Sequence, residues 1–381
     1  MNIECIDKES AFLSLRTQWE DLRLASEIPS FFLSHDWVRC CWEEIKLNNV
    51  LRIFVVRKQE RIVLIAPCML TRTFRKPIPL NTLCFIMHPE TQIAGFLISR
   101  DSSGRGALTA LLHYLLTMKR REWSLLVLDK VPNHSLTARF FREGIEEDNV
   151  QQQICANLDI SHEAAFISLD KTWQAYLTER SVRFRKTLRN VTNRLTRCGH
   201  AQVKMYQGKS AVKEAIEKLF AVSNESWKAA DGIAITSCDK RMQFFRDLMN
   251  GEETTDRVRV VILELDGKPI ASETQIVDGG TVYALRSDYA DRYASISPGT
   301  YLQGEILKDL FASSHTEYNF GVGLNAYKSH WTEARHQLLR VEVYNQTLRG
   351  RLLGTAYRWE SKIRHFRGVR RLSQVPSTRE E

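Results

Sequence analysis

One stretch of the chain places a predicted helix start directly after a predicted strand, and this arrangement suits a bound anion. A tyrosine-rich strand is expected to end at Tyr289, and a short polar loop leads from it to Ser297-Pro298-Gly299. A helix is expected to begin there, since proline loses no needed donor in the first helical turn. The first amides of a helix have no partner inside it and carry partial positive charge. The stretch is therefore a candidate site for a phosphate or diphosphate.

The first half of the chain carries a rival loop, Asp101 to Gly106, which reads DSSGRG. A lone G-x-G before a helix is weak evidence for a ligand, and a helix cap is the better explanation of this loop. Here we expect Ser103 to be the capping residue. The second half is therefore the better candidate for an anion site.

Bulk properties exclude several classes of protein. The chain has 381 residues, a formal net charge of +9 and 43% hydrophobic residues, enough for two domains with cores of their own. No apolar run approaches the ~20 residues that a membrane-spanning helix needs, and no signal peptide is evident at the N-terminus. The eight cysteines are scattered without a C-x-x-C pair. This pattern favours reduced thiols in a cytoplasmic protein and no metal site.

The positive charge is concentrated in two segments. One is a predicted helix between residues 180 and 197, and the other lies between residues 349 and 371 near the C-terminus. Basic density of this kind attracts nucleic acid, phosphates or an anionic membrane surface. A solvated helix face is the alternative interpretation for either segment alone.

The chain repeats one order of predicted elements. Each half has a hairpin, a further strand, a helix that begins at glycine or Pro-Gly, and then strand, helix and strand. The second hairpin turns at Asp266-Gly267, a strong hairpin signal, and the first turns between Lys58 and Glu60. This order predicts an α/β fold with a mixed sheet covered by helices. We place the units at residues 1–158 and 159–348, followed by a basic segment, 349–381, with the link near the polar run Asn157 to Glu163.

A family resemblance covers Phe166 to Tyr344. The segments that carry it are SVRFRKTLRNVTNRLTRCGHAQV, DGKPIASETQIVDGGTVYALRSDYA, SPGTYLQGEIL, YNFGVG and NAYKSHW. They resemble the acetyltransferase-like domain of the CelD/BcsL group in the GNAT superfamily, which is related to the FemAB aminoacyl transferases. One departure is Asn319, where that group usually has aspartate.

The resemblance implies two tandem GNAT-like domains in a FemAB-like arrangement, the first of them degenerate. It also implies that two neighbouring parallel strands of the second unit splay apart and that the pantetheine arm of an acyl-CoA lies in the gap. The diphosphate would rest on the amides after Pro298. The residues expected to bind acyl-CoA are Leu285, Arg286, Ser297, Pro298, Gly299, Thr300 and Tyr301.

Acyl transfer needs a base, donors for the oxyanion and a proton for the leaving thiolate. The resemblance points to Tyr327-Lys328, with tyrosine as the proton donor and lysine as the group that holds a phosphate or carboxylate. Asp288, just past the strand, is a candidate base or acceptor anchor. Glu273 is a further candidate base, but strand alternation alone does not decide which face of the sheet it occupies.

The primary hypothesis is an N- or O-acyltransferase that uses acetyl-CoA or another acyl-CoA, without a metal. Its acceptor would be an amino sugar, a glycan precursor or a related amine or hydroxyl compound of envelope or exopolysaccharide metabolism, as the resemblance implies. The alternatives are a FemAB-like transferase that uses aminoacyl-tRNA, and a protein without catalytic activity that binds an anionic membrane through its basic C-terminal segment. A cytoplasmic location, peripheral to the inner membrane face if that segment binds lipid, fits all three.

Overall fold

The computed structural model describes residues 1–75, 78–117, 121–146, 155–251, 256–345, 347 and 350. Its strands belong to one thirteen-stranded mixed sheet. They are β1 (Asn2–Ile6), β2 (Val50–Lys58), β3 (Arg61–Arg75), β4 (Ile78–Phe85), β5 (Leu97–Ile98), β6 (Leu125–Pro132), β7 (Cys155–Ser168), β8 (Ala201–Gln207), β9 (Val258–Leu265), β10 (Lys268–Asp278), β11 (Thr281–Tyr289), β12 (Glu317–Val322) and β13 (Arg335–Tyr344).

Helices cover this sheet. Those within the described residues are α1 (Glu9–Ser14), α2 (Arg16–Leu24), α3 (His35–Ile45), α4 (Ser103–Thr117), α5 (Leu136–Glu146), α6 (Trp173–Glu179), α7 (Val182–Cys198), α8 (Lys209–Asn224), α9 (Trp227–Ala230), α10 (Asp239–Asn250), α11 (Pro298–Phe311) and α12 (Ala326–Trp331). Among them, no helix combines the length and the apolar character that a membrane crossing requires.

The sheet has two halves with the same internal order. The strands run β1-β2-β3-β4-β6 in the first half and β8-β9-β10-β11-β12 in the second, and β13 and β7 lie side by side between them. In each half one neighbouring pair is parallel, β4 with β6 and β11 with β12, and the other neighbours are antiparallel. The predicted mixed α/β sheet with helices on it is confirmed, and so is the repeat of its elements.

The two halves exchange their last strands. β7 follows the first half in sequence but pairs with β12 of the second, whereas β13 ends the second half and pairs with β6 of the first. The predicted link, Asn157 to Glu163, lies inside β7 and pairs with β13 along its length. That expectation was wrong, because polar residues are tolerated in a strand whose neighbours satisfy its backbone groups. The unit boundaries themselves stay a prediction.

Both predicted hairpins are present. Lys268 pairs with Leu265 across the turn at Asp266-Gly267, where both turn residues have positive φ of 50° and 77°. Two positive φ angles are the signature of the hairpin turn that matches the twist of the strands.

The halves also share one apolar core. Trp37 on α3 is fully buried and contacts Phe244 on α10 edge to face, with ring centroids 5.6 Å apart. Phe32 contacts Tyr283 of β11 in the same way at 5.1 Å. These aromatic contacts therefore join the first half to the second.

Candidate functional site

A cleft opens where β11 and β12 separate. Their parallel pairing runs from Thr281 opposite Glu317 to Tyr283 opposite Asn319 and then stops. Beyond this point a cleft of about 740 Å³ lies between β11, β12 and the start of α11. The predicted gap between the strands around 283–288 and 318–321 is therefore present at the expected place.

The start of α11 forms one wall of this cleft. Ser297, Pro298, Gly299 and Thr300 line it, whereas Tyr301 does not. Ser297 has a left-handed backbone with φ of 55°, and its carbonyl accepts from the amides of Thr300 at 3.1 Å and Tyr301 at 3.3 Å. Within the described part of the chain, the Gly299 amide has no such acceptor. Among these helix-start amides, that of Gly299 is therefore the one free to bind an anion, and the anion site itself stays a prediction.

Leu285 and Arg286 also line the cleft, as predicted for the strand that would pair with pantetheine. Leu285 is the extra residue of a bulge, because Thr274 pairs with Arg286 and Gln275 pairs with Ala284. A bulge bends the strand and so changes the direction of the backbone next to it. The Arg286 guanidinium bonds to Asp288, to Glu90 and to the Ile233 carbonyl, so each of its three nitrogens makes a hydrogen bond.

Asp288 is buried and paired with two cations. Its carboxylate lies 2.6 Å from Lys228 Nζ and 2.9 Å from Arg286 Nε. Burial alone would raise the pKa of Asp288, but the two neighbouring cations outweigh it and lower the pKa. A carboxylate held ionised in this way is a poor proton acceptor. The geometry therefore argues for a structural ion pair at Asp288 rather than the predicted base.

Lys328 lies in the opening itself. Its ammonium donates to the carbonyls of Gly321 at 2.8 Å and Val322 at 3.1 Å, which are the residues of β12 just past the last paired position. Burial lowers the pKa of Lys328 to about 8. Two of its three protons are used, which leaves one donor for a ligand.

Glu273 reaches the same cleft from β10, so the structure answers the question of its face. The side chain is 2% exposed and accepts hydrogen bonds from Gln275, Ser287 and Tyr318, each at 2.8 Å. Burial raises the pKa of Glu273 despite these three donors. A carboxylate with a raised pKa at a cleft is a better proton acceptor than Asp288.

Tyr327 connects α12 to the start of α11. Its hydroxyl donates to the Gly299 carbonyl at 3.3 Å, and the residue is 39% exposed. Burial of the hydroxyl raises the pKa of Tyr327, although an unperturbed tyrosine would also be protonated at neutral pH. Tyr327 thus places a protonated hydroxyl beside the predicted anion site at the start of α11.

Among the described residues, the space beside the parallel pair of the first half is occupied by protein atoms. Past the last paired position, Cys84 opposite Val127, the Ala94 amide bonds to the Lys130 carbonyl. The Lys130 ammonium donates to the carbonyls of Pro89 and Thr91. The segment after β4 thus fills the space that stays open in the second half, and the degenerate first unit stays a prediction.

The rival loop is a helix cap, as predicted, but its capping group differs. The Ser103 amide donates to Asp101 Oδ1 at 2.9 Å, so Asp101 caps α4 and Ser103 is its first residue. Either residue type can cap a helix, and sequence alone did not separate them.

Sequence reasoning missed the cleft residues that come from distant segments. Pro89, Glu90, Gln92 and Lys130 of the first half line the cleft of the second half, as does Lys228 of α9. No local motif marks them, because their position depends on how the halves pair. Asn319, the departure from the family pattern, is buried, and its side-chain oxygen accepts from the Gly321 amide at 2.9 Å.

Helix α7 lies beside α11 and is strongly basic. It contains no acidic residue, and its cations are Arg183, Arg185, Lys186, Arg189, Arg194 and Arg197. Arg194 donates to the Ser295 carbonyl, just before the start of α11. Across the described ranges none of these side chains has an acidic partner. The second basic segment, predicted at 349–381, lies outside the described residues except for Gly350.

Comparisons with known proteins agree with this geometry. Residues 182–329 match the family model "Acetyltransferase (GNAT) domain". The crystal structure of FemX is similar, with a TM-score of 0.54 and 13% identity over 90% of this chain and 97% of that one. No curated protein sequence matches the chain.

Two further structures share the fold. A protein of unknown function from Bacteroides thetaiotaomicron VPI-5482 has a TM-score of 0.55 and 11% identity, over 90% of this chain and 100% of that one. The C-terminal domain (DUF2156) of a candidate lysylphosphatidylglycerol synthetase from Agrobacterium fabrum has a TM-score of 0.54 and 12% identity, over 91% of this chain and 96% of that one. Residues 182–329 are therefore similar to a GNAT acetyltransferase domain, and the chain shares its fold with FemX.

Proposed function

We propose that this protein is an acyl-CoA-dependent N- or O-acyltransferase of the CelD/BcsL type, with acetyl-CoA as the donor. The observation that carries the proposal is the open split between β11 and β12, which has a free helix-start amide on one side and Glu273 and Lys328 on the other. The acceptor is an amino sugar, a glycan precursor or a related small amine or alcohol. This acceptor class rests on the family resemblance.

The residues present fit an acyl-CoA. The Gly299 amide and the positive end of α11 would hold the diphosphate. The unpaired backbone edge of β11 after Tyr283 would pair with the pantetheine arm. Bound acyl-CoA supplies an activated acyl group, and the rest of the chemistry falls to the side chains of this chain.

Three side chains could divide the work. Glu273 takes the proton from the attacking nitrogen or oxygen as the new bond to the acyl carbon forms. Lys328, held at the split by two carbonyls, stabilises the negative charge that develops on the acyl oxygen. Tyr327 donates its hydroxyl proton to the thiolate sulfur as the carbon–sulfur bond breaks, and it regains a proton from solvent.

Calorimetric titration tests the donor. Acetyl-CoA, longer acyl-CoAs and desulfo-CoA are titrated into the full-length chain, and we expect binding of acetyl-CoA with one site per chain. If none of these compounds binds, the proposed donor is wrong. A drop in affinity with each added methylene would identify acetyl as the preferred acyl group.

A second candidate donor is aminoacyl-tRNA, and helix α7 is the observation that favours it. One stripe of this helix carries four cations, Arg183, Lys186, Arg194 and Arg197. From the first to the last of them the stripe is ~21 Å long, at 1.5 Å per residue. Cations in the first turn oppose the helix dipole, so their presence there points to an anionic partner. Filter binding of tRNA tests this candidate: retention should fall steeply with salt. Retention that is weak and insensitive to salt would remove it.

A further inference from the structure

The first half of the chain places one carboxylate in the cleft of the second half. Glu90 lies on the segment after β4 and lines the cleft, and its Oε1 is 3.2 Å from Arg286 Nη1. Its second oxygen, Oε2, has no partner within the described ranges. Glu90 therefore offers an unused anionic acceptor to whatever enters the cleft.

Several contacts fix the backbone that carries Glu90. The amide of Glu90 donates to His88 Nδ1 at 3.0 Å, and its carbonyl accepts from Gln92 Nε2 at 2.6 Å. Gln92 in turn accepts from the Val322 amide at 2.7 Å, which joins the segment to β12 at the split. The position of Glu90 relative to Lys328 is thus set by direct contacts and not by a free loop.

Lys130 is the residue that holds this segment in the first half. It is 9% exposed and has a left-handed backbone, with φ of 57°, inside strand β6. Such a conformation is strained for a residue other than glycine and persists only where its surroundings require it. The ammonium of Lys130 spans Pro89 O and Thr91 O, the two carbonyls that flank Glu90.

We propose that Glu90 is a specificity-determining residue that binds the positively charged amine of the acceptor, and that Lys130 is the positioning residue that presents it. The first half would then have lost its own donor cleft and become the acceptor wall of the second. The ammonium of the acceptor pairs with Glu90 Oε2 on arrival, and it must lose a proton before it attacks. This inference rests on the proposed acyl transfer, because it names the acceptor side of the same cleft.

The charges around Glu90 favour this assignment. Lys228, Arg286 and Asp288 form a group with one net positive charge, and Glu90 neutralises it. Two further cations, Lys130 and Lys328, act on Glu90 through their charge. Both ammonium groups donate to backbone carbonyls, and within the described residues neither contacts the free oxygen of Glu90. That oxygen is therefore the acceptor that an arriving ammonium meets.

The experiment measures acceptor binding without any donor. Calorimetry compares two pairs of probes, glucosamine with glucose and ethanolamine with ethylene glycol, on the full-length wild type, Glu90→Gln and the control Glu43→Gln. Glu43 pairs with Lys46 on the surface of the same half, outside the cleft. We expect Glu90→Gln to lose roughly ten- to a hundredfold in affinity for at least one amine, the usual effect of removing a charged hydrogen bond. Its neutral counterpart and the Glu43→Gln protein should show no change.

Two Lys130 variants test the positioning role. Lys130→Met should weaken amine binding as Glu90→Gln does and speed hydrogen exchange of the peptide over residues 86–96, while Lys130→Arg should restore part of both. Binding of desulfo-CoA should stay within about twofold in every variant that folds.

The outcomes separate the inference from the proposed function. The inference is overturned if the wild type distinguishes neither amine from its neutral counterpart, or if Glu90→Gln binds both amines as the wild type does. Absence of acyl-CoA binding to the wild type would instead overturn the proposed donor, because the amine titrations contain no donor.

Discussion

The Tyr318 hydroxyl donates a 2.8 Å hydrogen bond to Glu273 Oε1, and both groups are buried. Tyr318 is on β12 and Glu273 is on β10, so the bond crosses over β11 and ties together the two strands on either side of it. It fixes the carboxylate at the point where the sheet opens. Orientation of a base by a second side chain is a common feature of sites that move protons.

Glu273→Gln should reduce turnover by about a hundredfold or more, the usual contribution of a general base. Burial raises the pKa of Glu273, so the wild-type rate should rise as pH increases through that raised value, and the variant should lack this limb. A pH–rate profile of acetyl-CoA turnover checks this. If the pH–rate profile of Glu273→Gln is the same as that of the wild type, a residue other than Glu273 is the general base.

The same substitution should stabilise the protein at high pH. A buried carboxyl with a raised pKa binds its proton more tightly in the folded than in the unfolded state, so wild-type stability falls as pH rises from the unfolded pKa to the folded pKa. Glutamine cannot ionise and avoids that loss. Urea unfolding at pH 5 and pH 8 measures the free energy of unfolding of both proteins. The value for Glu273→Gln should exceed that of the wild type by more at pH 8 than at pH 5. An equal difference at both values would contradict it.

Lys328→Met should lower kcat/KM by about ten- to a hundredfold if the ammonium stabilises developing charge. Because burial lowers the pKa of Lys328 to about 8, the wild-type rate should decline above that pH as the ammonium is lost. The variant should not show this decline. Lys308→Met, on the exposed side of α11, is the matched control and should behave as wild type.

Asp288→Asn should damage the fold and leave the pH profile of the remaining activity unchanged. Removing one partner of a buried charge cluster typically costs about 3–5 kcal/mol. Since the pKa of Asp288 is lowered, this stability is present above the unfolded pKa of about 4 and is lost as pH falls below it. Thermal unfolding across pH 3 to 7 measures it. A stable variant that lacks only the acid limb of activity would instead identify Asp288 as the base.

Gly299→Asp should separate donor binding from stability. A carboxylate in the first turn of a helix interacts favourably with its dipole, so the melting temperature should not fall. The same charge would repel the diphosphate of acyl-CoA, and calorimetry should show at least a tenfold loss of affinity, or about 1.4 kcal/mol. Gly299→Ala is the control, because an added Cβ would meet only Tyr289 at an ordinary 3.5 Å. If Gly299→Asp and Gly299→Ala bind acyl-CoA with equal affinity, the diphosphate does not bind at the start of α11.

Much of the second half could be predicted from its sequence, because its signals are local. Turn residues such as Asp266-Gly267 and the Pro298 helix start depend on backbone conformation within a few residues. The cleft between β11 and β12 followed from the family resemblance together with the order of these elements. The Tyr327-Lys328 pair lies at that cleft as expected.

Other features could not be predicted because they depend on long-range pairing. Glu90 enters the cleft only because the segment after β4 crosses to the second half, and no spacing in the sequence records this. The alternation of side chains along the strand that carries Glu273 could be predicted from the sequence. The face of the sheet on which Glu273 lies could not, because helices cover both faces. Asp288 suggested a base by its type, and only its two cationic neighbours indicate otherwise.

The exchange of β7 and β13 has a consequence for how the molecule can be divided. A cut near residue 158 falls inside β7 and puts β6 and β13 on different fragments. Each fragment would then have an exposed strand edge, and such edges invite aggregation. Fragments made separately should therefore be insoluble, and fragments made together should reassemble. Because β13 completes the sheet of the first half and β7 lies between β13 and β12, the two halves depend on each other for a closed sheet.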